Sequence, residues 1–133
     1  MGLEKSPVIY IITSYGLAHC TKGSLKLQAA MRRVQPILAD YHSFLPTLAD
    51  NSYEVVYFDP MFIQPKEKST GIAGLREAAA YGQPTWADFA QARRVAARRV
   101  VVKFAKGQWD EGIFDQVVCG RYSPIAYGLL APT

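Results

Sequence analysis

The sequence is poor in cysteine, and the two it has, Cys20 and Cys119, lie far apart with no C-x-x-C. That excludes a disulfide scaffold and the usual zinc spacings, although His19 adjoins Cys20. Two buried free thiols in a reducing compartment are expected instead. No apolar run approaches the roughly 18 residues of a membrane span, so no membrane contact is predicted. Glu4 and Lys5 precede a short apolar stretch without a signal-peptide cleavage pattern, and the expected location is cytoplasmic. There is no internal repeat and no low-complexity segment. No G-x-G-x-x-G occurs; Gly71 and Gly74 form the nearest approach, and they do not follow a strand.

What is present is ordinary globular composition, half hydrophobic and a fifth charged. At 133 residues the chain is expected to form one domain. A net charge of +4 permits an anionic partner such as RNA without requiring one.

Turn and cap signals divide the chain into alternating elements. Ser6-Pro7 opens a helix, with Val8, Ile9, Ile12 and Tyr15 at helical spacing and Gly16 as its stop. Ser24 caps a second helix running to about Arg33. "VQPIL" (Val34–Leu38) reads as a short edge strand, because Pro36 donates no ladder bond. Tyr41–Leu48 is a turn or short helix stopped near Pro46. Glu54–Phe58 is apolar on both faces, as a central parallel strand is. Pro65–Gly74 reads as a surface loop and Leu75–Tyr81 as a short helix.

Thr85-Trp86-Ala87-Asp88 resembles a capping box with Asp in place of Glu. Its helix is expected to reach about Arg98 and to bury Trp86, Phe89, Ala90 and Ala97. "RVVVKF" (Arg99–Phe104) is a further strand, and "DQVVC" and "IAYGLL" form a closing strand pair. The order predicts an α/β protein with a mostly parallel sheet and an antiparallel C-terminal strand pair. Ligands in such sheets bind at the carboxyl ends of the strands. Asp40, Asp59 and Lys103 all fall at or just past predicted strand ends.

"VVYFDPMF" (Val55–Phe62) is the most informative stretch. An aspartate at a strand end offers hydrogen-bond acceptors. Pro60 restricts the backbone beside it, and Phe62 adds a flat apolar face. Acceptors beside an aromatic plate suit a planar base with an exocyclic amine. Asp-Pro is equally ordinary turn chemistry, so the tetrapeptide alone leaves both readings open.

"EVVYFDPMF", "RRVVVK" and the opening "GLEKSP" together resemble the class I S-adenosylmethionine-dependent methyltransferases. They are most similar to the ribosomal small-subunit methyltransferase J type, which acts on a guanine N2 of 16S ribosomal RNA. "DPMF" is a variant of the Asn/Asp-Pro-Pro-aromatic motif of amino-methylating enzymes. The resemblance implies a three-layer, Rossmann-like sheet of which residues 1–133 form the C-terminal portion, without the first strand and its Gly-rich loop. It implies S-adenosylmethionine as cofactor, with Glu4 at the ribose, Lys5 beside it, and Asp40 and Tyr41 at the adenine. Asp59 would lie between cofactor and target amine, with Pro60 and Phe62 completing the catalytic motif. Phe62 would stack on the base, and Lys103 would stand near the substrate. No metal is implied.

The absent first strand would leave Glu54–Phe58 with an open edge. The chain is then a fragment, a partner of a second chain, or a reduced descendant without activity; a homo-oligomer covering that edge is expected. Arg93, Arg94, Arg98 and Arg99 form a basic segment that either steers RNA or is a solvated helix face. The rival to a methyltransferase is a catalytically silent fragment or binding module retaining part of the fold.

Overall fold

In the computed structural model the described residues are 1–60 and 82–133. They fall into two compact units, one containing Met1–Tyr41 and the other the described residues from His42 onward. Sheets with parallel and antiparallel strands make this a mixed α/β protein, consistent with a methyltransferase-like fold.

The first unit is built on a two-stranded parallel sheet. Strand β1 (Gly2–Glu4) pairs in parallel with β2 (Pro36–Leu38), Glu4 opposite Leu38. The β1 strand was not foreseen: three residues carry no periodicity, and only its partner defines it. Helix α1 (Pro7–His19) starts as expected, the Ser6 hydroxyl accepting from the Ile9 N–H at 3.4 Å. It runs past Gly16, whose carbonyl accepts from the Cys20 N–H. Helix α2 (Leu25–Arg33) is capped by Ser24, as its sequence predicts. Arg32 of α2 donates to the Leu17 and Cys20 carbonyls, both at 3.1 Å, and so caps the end of α1. Neither helix buries a residue.

At the junction lies a short helix α3 (Tyr41–Phe44), which passes into a 3-10 turn over Leu45–Thr47. The second unit is a four-stranded sheet in the order β3-β4-β6-β5. Strand β3 (Tyr53–Phe58) pairs in parallel with β4 (Ala96–Ala105); β6 (Ile125–Leu130) is antiparallel to both β4 and β5 (Gln116–Cys119). Among the described residues β3 is therefore an edge strand. Its two apolar faces do not make it central: Val55 and Tyr57 are about half exposed, and Phe58 is buried.

Helix α4 (Trp86–Val95) begins with both bonds of the capping box, Asp88 Oδ2 accepting from the Thr85 N–H at 2.7 Å. It ends at Val95, not Arg98, and passes directly into β4. Phe89, Ala92 and Val95, spaced by three, are its buried apolar positions; Trp86, Ala90 and Ala97 are exposed, contrary to expectation. Ala97 lies on the strand, not on the helix.

The core is one face of this sheet beneath α4. Val100, Val102 and Phe104 of β4 and Ala126 of β6 are fully buried. Phe114 stacks on Phe104 at 5.1 Å and covers Gly128, where any Cβ would strike its ring. On the other face Tyr57, Val118 and Tyr127 remain substantially exposed. Cys119 is exposed and Cys20 half-buried, which corrects the expectation of two buried thiols. The predicted loop at Pro65–Gly74 and helix at Leu75–Tyr81 lie outside the described residues. Among the described residues no helix is long and apolar enough to cross a membrane.

Candidate functional site

The predicted site residues gather in two places, one in each unit. In the first, two parallel strands end side by side. Glu4 closes β1, and its backbone carbonyl accepts from the Ala39 N–H at 3.0 Å. Its side chain turns onto the start of α1, Oε1 accepting from the Ser6 N–H at 2.7 Å, while no described residue donates to Oε2. Lys5 Nζ reaches Asp40 Oδ2 at 2.7 Å, tying the two strand ends together. Tyr41 follows at the start of α3. Parallel pairing thus puts Glu4, Lys5 and Asp40 at the carboxyl ends of neighbouring strands, where α/β sheets bind ligands.

In the second place, Asp59 and Pro60 follow Phe58 at the end of β3. Lys103 stands near the end of β4 and donates from Nζ to Asp59 Oδ1 at 2.8 Å. Forty-four positions apart in sequence, they meet because β3 and β4 run parallel, Phe58 opposite Val102. No described residue donates to Asp59 Oδ2. The hydrogen bond to Asp59 raises the Lys103 pKa against the lowering effect of burial, so the ammonium persists at neutral pH. Burial, with the charge of Asp59 next, raises the Tyr57 phenol above its ordinary value. Tyr57 and Tyr127, both coupled to Lys103, were not singled out in the sequence. Period-two alternation places Tyr57 on the solvent side of β3, a signal that only the sheet's orientation makes readable. Phe62 lies outside the described residues.

A third cluster also escaped sequence reasoning. His42 Nδ1 lies 2.8 Å from Asp88 Oδ1, while Thr85 donates to Asp88 Oδ2 from both its N–H and its hydroxyl at 2.7 Å. Burial tends to raise the Asp88 pKa, but the hydrogen bonds from Thr85 and His42 prevail and lower it. The capping box was legible; its distant histidine was not.

The arginine segment is not a single basic face. Arg94 donates to the Leu48 carbonyl at 2.7 Å and the Leu45 carbonyl at 3.1 Å, and pairs with Asp50. Arg93 donates to the Ala131 carbonyl at 2.8 Å. Arg98 and Arg99 lie on β4 and are exposed.

Comparison with known proteins identifies the family. The sequence model of a family described as "Putative SAM-dependent methyltransferase" matches residues 1–109, and the chain belongs to that family. It is also 40% identical over 116 residues to the "Uncharacterized protein YpiP" of Bacillus subtilis (strain 168). That match covers 87% of this chain and 44% of the relative, so the chain spans less than half of the relative's length. No solved structure matches significantly. The family implies S-adenosylmethionine as cofactor. The first cluster fits that group in kind: Glu4 Oε2, to which no described residue donates, is an acceptor for the hydroxyl donors of a ribose.

Proposed function

We propose that this chain is part of a methyltransferase domain that methylates an exocyclic amine of an RNA guanine, with 16S ribosomal RNA as its substrate. The observation that carries this reading is Asp59-Pro60 at the carboxyl end of a parallel strand, with no described residue donating to Asp59 Oδ2. In this reading Glu4 accepts from the ribose of S-adenosylmethionine. Lys5 and Asp40 form one brace beside it, and Asp40 and Tyr41 face the adenine. The cofactor, when bound, supplies an electrophilic methyl group.

Asp59 and the Pro60 carbonyl accept from the target amine and aim its lone pair, and the displaced amine proton leaves to water. Phe62 stacks on the base, and Lys103 borders the substrate. Positioning of this kind is the main contribution such a site makes to rate. The positive net charge and the exposed Arg98 and Arg99 support a polyanionic partner.

We further propose that both units belong to one three-layer, Rossmann-like domain in the cytoplasm, and that a second copy covers the open edge of β3. A second reading is a catalytically silent portion of the fold. It is favoured by the lack of any G-x-G-x-x-G within these 133 residues.

The test is calorimetric titration with S-adenosylmethionine, followed by transfer of labelled methyl to transcribed 16S ribosomal RNA. Micromolar binding and transfer, lost about 100-fold or more in Asp59→Ala with melting unchanged, is expected. Cofactor binding without transfer to RNA rejects the substrate. No binding favours the silent portion, and undiminished transfer by Asp59→Ala rejects the site.

A further inference from the structure

Lys103 donates from its ammonium to Asp59 Oδ1 at 2.8 Å. Its backbone is paired with β6, where Lys103 faces Tyr127 in register, and it directly follows Val102, which pairs with Phe58 of β3. Its side chain is only 25% exposed, whereas that of Asp59 is 50% exposed. The lysine is thus the fixed partner of the pair, and the aspartate the one that needs fixing.

The local chain leaves that need unmet. Phe58, buried at 7%, anchors the backbone just before Asp59, and Pro60 confines the Asp59 backbone to extended conformations. Neither constrains the side-chain rotamer. A half-exposed aspartate samples more than one staggered well unless something holds it. The donor at 2.8 Å from Oδ1 is the Lys103 ammonium.

We propose that Lys103 is a positioning residue, which fixes the Asp59 carboxylate through Oδ1 and so presents Oδ2 as the acceptor for the target amine. The inference rests on the role given to Asp59 above and changes the role given to Lys103. Lysine suits the task because its ammonium is a compact point donor that can engage one oxygen. An arginine fork would engage both oxygens of a carboxylate. The raised Lys103 pKa keeps this donor charged at neutral pH, and the raised Tyr57 pKa keeps its phenol uncharged beside it.

The decisive measurement needs no substrate. Three-bond couplings from the Asp59 α-proton to its two β-protons report whether one rotamer is populated. One large and one small coupling are expected in the native chain, converging to an average in Lys103→Met and separating again in Lys103→Arg. Should Lys103→Met unfold, Lys103→Gln replaces it. Couplings already averaged in the native chain, or unchanged on removing the ammonium, overturn the proposal.

Transfer to the 16S transcript supplies a second readout where the native chain is active. Lys103→Met should lower kcat about 10-fold with KM unchanged, and Lys103→Arg should not restore kcat, because both oxygens are then occupied. A raised KM with kcat unchanged would return Lys103 to the substrate and overturn the proposal. A native chain without transfer rejects the RNA reading alone, and the couplings still decide the role of Lys103.

Discussion

Helices α1 and α4 make an instructive pair, because the more apolar of the two is the one that buries nothing. Helix α1, PVIYIITSYGLAH, leaves Val8, Ile11, Ile12 and Tyr15 each more than half exposed. Helix α4, WADFAQARRV, carries two arginines and an aspartate, yet buries Phe89, Ala92 and Val95 completely or nearly so. Every buried hydrophobic residue among those described lies in the second unit. Apolar content drives burial only where a surface exists to receive it. α4 has a four-stranded sheet beneath it, while α1 packs within a unit whose sheet, among the described residues, has two short strands.

The contrast is tested most severely by truncating one apolar side chain in each helix. Phe89→Ala removes a ring 2% exposed that meets Phe58, Trp109 and Phe114. It should cost about 3–5 kcal/mol in denaturant unfolding. Ile11→Ser, at a position 64% exposed, should change stability by no more than about 0.5 kcal/mol. A comparable loss at both positions would mean that α1 is covered in solution, as by a second copy.

A smaller effect is expected at Asp88, where the second unit relies on polar contacts as well as on its core. Asp88→Ala removes the capping box and the acceptor of His42, and should cost about 1–2 kcal/mol at neutral pH. Because the folded carboxyl is held below its ordinary value of 3.8, its contribution is present above that value. It is lost as the pH falls through the folded pKa. The native and variant unfolding curves should therefore converge in acid below about pH 3.8, and curves that stay parallel would remove Asp88 from the acid limb.

The smallest change should come from Ser24→Ala. It removes the cap of a helix with no buried residue, at about 0.5–1 kcal/mol. Hydrogen-exchange protection over Leu25–Arg33 should fall while that of α4 is unchanged. A loss shared by both helices would show the two units unfolding together.

Local chemistry was legible wherever neighbouring residues decide the outcome. The caps at Ser6, Ser24 and Thr85 satisfy helix ends from within four residues, and each was readable. The closing strand "IAYGLL" has the bounds its sequence suggested, and it alternates in burial. The end of α4 was misjudged, because Ala96-Ala97 suits a helix and only the pairing of Ala96 with Tyr53 draws it into β4. The arginines misled for a similar reason: a run of positive charge does not reveal which carbonyls lie across the fold from Arg94.

Of the candidate site, the strand-end positions of Asp40, Asp59 and Lys103 could be read from the chain, while Glu4 came only with the family that "DPMF" and its companions resemble. Those assignments depend on sequence neighbours, caps and periodicity, which act within a few residues. The pairings of Lys5 with Asp40, Lys103 with Asp59 and His42 with Asp88 came only with the tertiary structure. They depend on strand order, register and which face is open, quantities that arise when segments 35 to 46 residues apart are brought together, and no local pattern encodes them.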